Sequence, residues 1–248
     1  MNQSSVNNEK QWKNIYTIGA IATIIVILGI LLDIFVGSSM GGDLTTIPKT
    51  AADRFNQFNQ NAWLGLYNLD LLNITNQLFF IPGYFALYAA HRKVNNPFAL
   101  LTLIVFLTGT ILFIVHNTAL PMLELSKKYA AAVSEQEKTL FAAAGEALLA
   151  RGEHGSAGVF IGFLLPNIAG MMMAVLMYSA NIFNKATAIT GFLGSLLLSL
   201  YIILVTFVPG IEKIAILVAM PGGLLSLTWM ILFTIRLFKM GRSKNIGD

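Results

Sequence analysis

The sequence predicts an all-α integral membrane bundle of six transmembrane helices with short amphipathic external helices. Three observations carry that reading. The 248 residues are 56% hydrophobic and only 11% charged, with mean hydropathy +0.69, whereas soluble domains carry about 25% charged residues. Six apolar stretches each approach the roughly 20 residues that a helix needs to cross a bilayer core. One of them, Trp63 to His91, is interrupted by Asp70, Asn73, Asn76 and Gln77. On a helix Asp70, Asn73, Gln77, Tyr84 and Tyr88 share a side. A carboxylate at bilayer depth costs roughly 2.5–3.5 kcal/mol, so this seam belongs inside a bundle, covered by other spans.

The first span runs over 15–37, after a polar start with Glu9, Lys10 and Lys13. Its apolar run exceeds the 7–15 residues or so of a signal-peptide core, so it reads as an uncleaved span. Asp33 lies near its far end, at the headgroups or as a partner for the seam. Residues 38–62 form an external loop. Within it Thr50 to Asp53 resembles a capping box, and Phe55 and Phe58 give the next short helix an apolar stripe suited to the membrane surface.

The second span covers 63–90. As one helix it is about 42 Å long, beyond a core of about 30 Å, so a kink is expected at Pro82-Gly83. A basic turn, His91-Arg92-Lys93, leads to the third span at 98–120, with His116 and Asn117 at its outer end. Residues 121–155 are the longest polar interval. Ser134 and Glu137 form a capping box there, and Leu140, Phe141, Ala144 and Leu148 recur on one face. The fourth span, 156–180, contains Pro166-Asn167 and a methionine run read as core or lipid contact. The fifth, 187–208, carries small residues, Gly191, Gly194, Ser195 and Ser199, that let helices approach closely. The sixth, 214–235, is interrupted by Pro221-Gly222-Gly223, and a basic tail follows. The expectation is one membrane domain over 1–248, with 38–62 and 121–155 folding together as an external cap.

Six spans put both termini on one side. Nine cations fall there: Lys10, Lys13, Arg92, Lys93, Lys185, Arg236, Lys239, Arg242 and Lys244. Seven fall opposite: Lys49, Arg54, Lys127, Lys128, Lys138, Arg151 and Lys213. The first group sits in short loops beside span ends, where the positive-inside rule has most force. A cell-membrane protein with cytoplasmic termini is therefore expected. The basic pI of 9.3 is explained by this distribution, and no nucleic-acid partner is expected. The absence of cysteine excludes disulfides and thiol chemistry.

This topology gathers polar groups in the outer half of the membrane. Asp33, Asp70, Asn73, Gln77, His116, Asn117 and Asn167 are the candidate ligand-binding residues, because intramembrane polar and ionisable groups mark function by default. Asp70 paired with His116 in a structural hydrogen bond is expected. Three functional readings follow. The first is a non-enzymatic bundle with an outward-facing polar pocket that binds a lipid, a small apolar ligand or a membrane partner, with no cofactor. The second is a small-solute transporter, in which the spans broken at Pro82, Pro166 and Pro221 line a path. The third is a metal-dependent hydrolase using Asp70 and His116, with His154 and Glu153 as further ligands. No His-Glu-x-x-His pair, Ser-His-Asp order or phosphate-binding glycine loop is present.

Leu125-Ser126-Lys127-Lys128-Tyr129-Ala130-Ala131-Ala132, then Glu135 and the stretch from Phe141 to Ala150, resemble a segment of an uncharacterised prokaryotic membrane family, the domain-of-unknown-function 4386 group. The order of elements is also similar, including a polar second span that opens near Leu66-Tyr67-Asn68-Leu69-Asp70. The resemblance implies a multi-span bacterial or archaeal membrane protein and brings no catalytic residue.

Overall fold

The computed structural model describes residues 3–39 and 47–243, with side chains for 11–39, 47–211 and 213–243. Residues 40–46 of the expected external loop, the side chains of Glu9 and Lys10, and Lys244 in the basic tail lie outside the described residues. Among the described residues there are ten helices and no strand.

Polar caps set most of the helix boundaries. The first helix, α1, is Gln3–Ser39. Thr50 accepts from Asp53 N at 3.2 Å and starts α2, Ala51–Gln60. Asn61 caps α3, Ala62–Tyr67, and α4 follows as Leu71–His91. Asn95 and Pro97 open α5, Asn96–His116, before α6, Ala119–Ala131. Ser134 and Glu137 form a complete capping box at α7, Glu135–Gly152, which satisfies donors that every helix start leaves unpaired. The last three helices are α8, Ala157–Ala180, α9, Lys185–Phe207, and α10, Glu212–Arg242.

Five helical stretches among the described residues are long and apolar enough to cross a membrane: Gln11–Ser39, Asn96–Ala131, Glu135–Ala180, Lys185–Phe207 and Lys213–Arg242. They mark a multi-pass membrane protein. The helix α4, expected as the second span, is not among them, because Asn73, Asn76 and Gln77 dilute its apolar content.

Six helices form a closed ring. The helix α4 packs on α1, α1 on α10, α10 on α9, α9 on α8, α8 on α5, and α5 closes on α4. Glycines set how closely they approach. A Cβ at Gly19 would lie 2.3 Å from Ala86 Cβ, one at Gly29 2.0 Å from Asn76 Oδ1, and one at Gly37 3.3 Å from Tyr67 Oη. As numbers rise along α1 they fall along α4 and then α3, so α1 and α4 are antiparallel. Gly109 against Pro166 and Gly162 against Phe113 set α5 antiparallel to α8 in the same way. Small residues at such crossings let backbones approach and gain dispersion contact, which drives association where helices have no water to escape. The outward faces carry exposed Ile21, Leu28 and Phe35 on α1, Ile111 on α5 and Leu217 and Leu224 on α10.

The remaining short helices α2, α3, α6 and α7 pack against one another, and a second core of Phe55, Phe58, Leu66, Leu69, Met122 and Leu149 joins them. Three expectations are corrected here. The Phe55 and Phe58 stripe is 0% and 4% exposed: Phe55 packs on Tyr129 of α6 and Gly145 of α7 and Phe58 on Gly65 of α3, not on a membrane surface. On α7 the buried residues are Gly145, Leu149 and Gly152, whereas Leu140 is exposed. The 63–90 stretch is not one helix kinked at Pro82. It breaks at Asn68–Asp70, and Pro82 sits inside α4. The break rests on Asp70, whose φ of 63° lies in the left-handed region that Asp and Asn tolerate better than other side-chain residues.

Candidate ligand-binding cavity

Between the helices of the ring lies a cavity of about 280 Å³, lined by residues of all six. The helix α1 contributes Val26 and Ile30, α5 Phe106 and Phe113, and α10 Ser226 and Trp229. From α4 come Asn73, Asn76, Gln77, Phe80 and Tyr84, which places the polar seam inside. Asn167 and Gly170 of α8 and Ser195 and Tyr201 of α9 complete the polar wall. Tyr88, expected on the same face, instead donates to Asn96 Oδ1 at 3.1 Å and does not line the cavity.

One end of the cavity is aromatic. Tyr84 stacks on Phe106 with ring centroids 3.9 Å apart, and Phe80 meets both edge-on. Trp229 closes the group and donates its Nε1–H to Met177 Sδ at 3.3 Å. In the wall, Asn76 Nδ2, Gln77 Oε1 and Tyr84 Oη are buried and have no hydrogen-bond partner among the described residues. Such groups cost about 1–3 kcal/mol each when left unpaired, and three of them around one cavity suit a polar guest.

The opposite end carries a hydrogen-bonded chain. His154 Nδ1 lies 3.1 Å from Asp70 Oδ2, and its Nε2 lies 2.8 Å from Tyr201 Oη. Asn73 Nδ2 donates to Asp70 Oδ1 at 2.8 Å, and the His154 ring meets Phe163 edge-on. Burial alone pulls the imidazolium down, but the adjoining Asp70 carboxylate and the Tyr201 oxygen outweigh it and push His154 up to about 10. Both ring nitrogens then carry protons and donate. Tyr201, accepting from His154, keeps its own O–H to donate at the cavity wall.

Local folding aims these groups. Gly155, at φ 82°, turns the α7–α8 connection so that His154 meets α4 and α9. Arg54, 1% exposed, donates to Glu153 Oε1 at 2.6 Å and fastens α2 to the same connection. Asn117 Nδ2 donates to the Leu69 carbonyl at 2.6 Å, and its Oδ1 accepts from Ala119 N at 2.9 Å. That side chain ties the α5–α6 break to the α3–α4 break.

The structure therefore sorts the sequence candidates. Asn73, Gln77 and Asn167 line the cavity, and Asp70 stands behind the wall, linked through His154 to Tyr201. Asn117 supports the backbone beside Asp70, and the Asp33 carbonyl accepts from Tyr67 Oη at 3.1 Å. The expected Asp70–His116 hydrogen bond is corrected. His116 Nδ1 is engaged by the Leu112 carbonyl of its own helix at 2.8 Å, and Asp70 takes His154 as partner. The proposed metal set is likewise dispersed, with Glu153 on Arg54 and His116 on α5. Among the described residues no three His, Asp or Glu side chains gather as an ion would need. Tyr201, Ser226 and Trp229 were not legible as site residues, because a single polar residue in an apolar span also reads as packing.

A family model described as Domain of unknown function (DUF4386) matches residues 17–236. The chain belongs to the DUF4386 family. The matched region takes in four helices of the ring entire, most of α1 and α10, and the whole of the cavity wall. Neither a curated protein nor a solved structure matches this DUF4386 protein.

Proposed function

We propose that this DUF4386 protein is a non-enzymatic membrane bundle that binds a small, neutral, amphipathic molecule in the cavity between the helices of its ring. The observation that carries the proposal is the composition of the wall. It joins unpaired amide and phenol groups to a cluster of aromatic rings, and among the described residues none that lines it is Asp, Glu, Lys, Arg or His, the Asp70–His154 pair standing behind Tyr201. A charged guest would lose its hydration with no counter-charge to replace it. A neutral guest with one donor and one acceptor would satisfy Gln77 Oε1 and Asn76 Nδ2 and lay its apolar body against Tyr84 and Phe106. The volume of about 280 Å³ is just below the ~300–1,000 Å³ usual for ligand sites, which suits a small guest.

The reading includes a membrane frame. The helix α4 is the sixth crossing, admitted to the bilayer because α1, α5 and α8 cover its amides. The protein sits in a prokaryotic cell membrane with cytoplasmic termini and the cap outside, as the loop cations favour. The chain has no native cysteine, so a single introduced thiol reports sidedness. An impermeant maleimide should label Ser134→Cys in intact cells and Asn181→Cys only after lysis. Equal labelling of both would remove the assigned sidedness.

The ligand test uses full-length protein in micelles with benzamide, benzoate and toluene as probes. Benzamide should raise the melting temperature, the other two much less, and Gln77→Leu should abolish the benzamide shift. A benzamide shift that survives Gln77→Leu, or no benzamide shift at all, would reject the cavity as a neutral-ligand site.

A further inference from the structure

A second cleft lies at the other end of the bundle, where the start of α1, the end of α4 and the end of α10 meet. Its volume is about 360 Å³, and five cations line it: Lys13, Arg92, Lys93, Arg236 and Lys239. No acidic side chain lines it among the described residues. These cations come from three distant parts of the chain, so the tertiary fold brings them together. The positive-inside tendency explains cations near this end. It does not explain their convergence in one concavity.

The arginines are held in fixed poses. Arg92 lies over the Trp12 ring with its guanidinium carbon 3.6 Å from the centroid, and its Nη1 donates to Tyr16 Oη at 3.2 Å. Arg236 donates Nε to the Ile182 carbonyl at 2.9 Å, which aims its terminal nitrogens away from that bond. Guanidinium forks set in this way suit the paired oxygens of a phosphate. Trp12 and Tyr16 are also the residue types that settle at headgroup depth.

We propose that this cleft binds a phosphate group, and that the group is the headgroup phosphate of an anionic phospholipid or a free phosphate ion. The site is separate from the central cavity and does not depend on the function assigned to it. Basic hollows between transmembrane helices hold anionic headgroups by the same combination of charge and shape.

The test uses full-length protein in micelles, with native mass spectrometry reading bound lipid during titration. Phosphatidylglycerol should bind at least tenfold more tightly than phosphatidylcholine. The double variant Arg236→Gln/Lys239→Gln should weaken phosphatidylglycerol roughly tenfold to thirtyfold, as expected for two cations beside an anionic headgroup. Lys127→Gln/Lys128→Gln, which removes two exposed cations of α6, should leave binding unchanged. Arg236→Lys/Lys239→Arg, which keeps the charge, should retain most of it, and this separates loss of binding from loss of fold. Displacement of phosphatidylglycerol by millimolar inorganic phosphate supports a free phosphate as ligand. Retention against phosphate supports the lipid. Equal binding of the two lipids, or equal losses in the α6 and α10 double variants, would overturn the site.

Discussion

His154 and Asp70 are eighty-four residues apart in sequence, and their side chains meet at 3.1 Å beside the cavity. The contact joins the α7–α8 connection to the residue that starts α4, and it passes through His154 to Tyr201 on α9. One imidazole therefore fixes three elements relative to one another, and the functional reading leans on that geometry.

Removing either partner should destabilise the bundle. The Asp70 side chain is 11% exposed and that of His154 35%. The cost should thus fall below the 3–5 kcal/mol of a fully buried pair, at about 1–3 kcal/mol. Asp70→Asn and His154→Gln should each lower the unfolding free energy in micelles by that amount. Their double variant should lose much less than the sum, which a double-mutant cycle reads directly.

The same pair predicts a pH dependence. His154 is raised from its ordinary 6.5 to about 10 in the folded protein. A group protonated more readily when folded adds stability that is fully present below pH 6.5 and lost as pH rises through about 10. The melting temperature should fall from pH 6.5 to 10, and His154→Gln should remove that part of the slope. A wild-type slope matched by His154→Gln would show that the imidazole does not carry it.

Gly170 and Ser195 set the spacing of α8 and α9. A Cβ at Gly170 would lie 2.2 Å from Ser195 Oγ and 3.2 Å from Ser195 Cβ. Gly170→Ala should therefore cost about 1–3 kcal/mol by overpacking. Adding Ser195→Ala, which removes the nearest atom, should restore a large part of it. Thermal unfolding of the two single variants and the double would show the non-additivity.

Tyr84 offers a test that separates stability from binding. Its ring is 1% exposed and its hydroxyl has no partner among the described residues. Tyr84→Phe deletes an unpaired buried polar group, so the ligand-free protein should be unchanged or stabilised by up to about 1 kcal/mol. The benzamide shift should shrink in the same variant. Loss of stability with an unaltered shift would place the hydroxyl outside the binding wall.

Helix content and the polar seam were legible from sequence, because both follow from local spacing. Asn73 and Gln77 sit four residues apart, on one face of any helix they join, and both line the cavity. The Ser134–Glu137 capping box was equally local and is present as read. The break after Tyr67 was not legible, because Pro82 is the stronger local signal for a kink, while Asp70 takes a left-handed φ that its type permits but does not dictate. Choosing His154 over His116 as the Asp70 partner was also out of reach of spacing, since both lie far from Asp70 in sequence and His116 is taken by the Leu112 carbonyl only once its helix forms.

By itself, the chain's order of residues determined that this protein is helical, apolar over several long stretches and polar along one buried face, because those properties repeat with the helix turn. Tertiary structure alone decided that six helices close into a ring, that Tyr201 and Trp229 share a cavity with Gln77, and that five cations from three segments meet at the far end. Such pairings rest on which glycine lets which backbone come near, and that is a relation between surfaces with no period along the sequence.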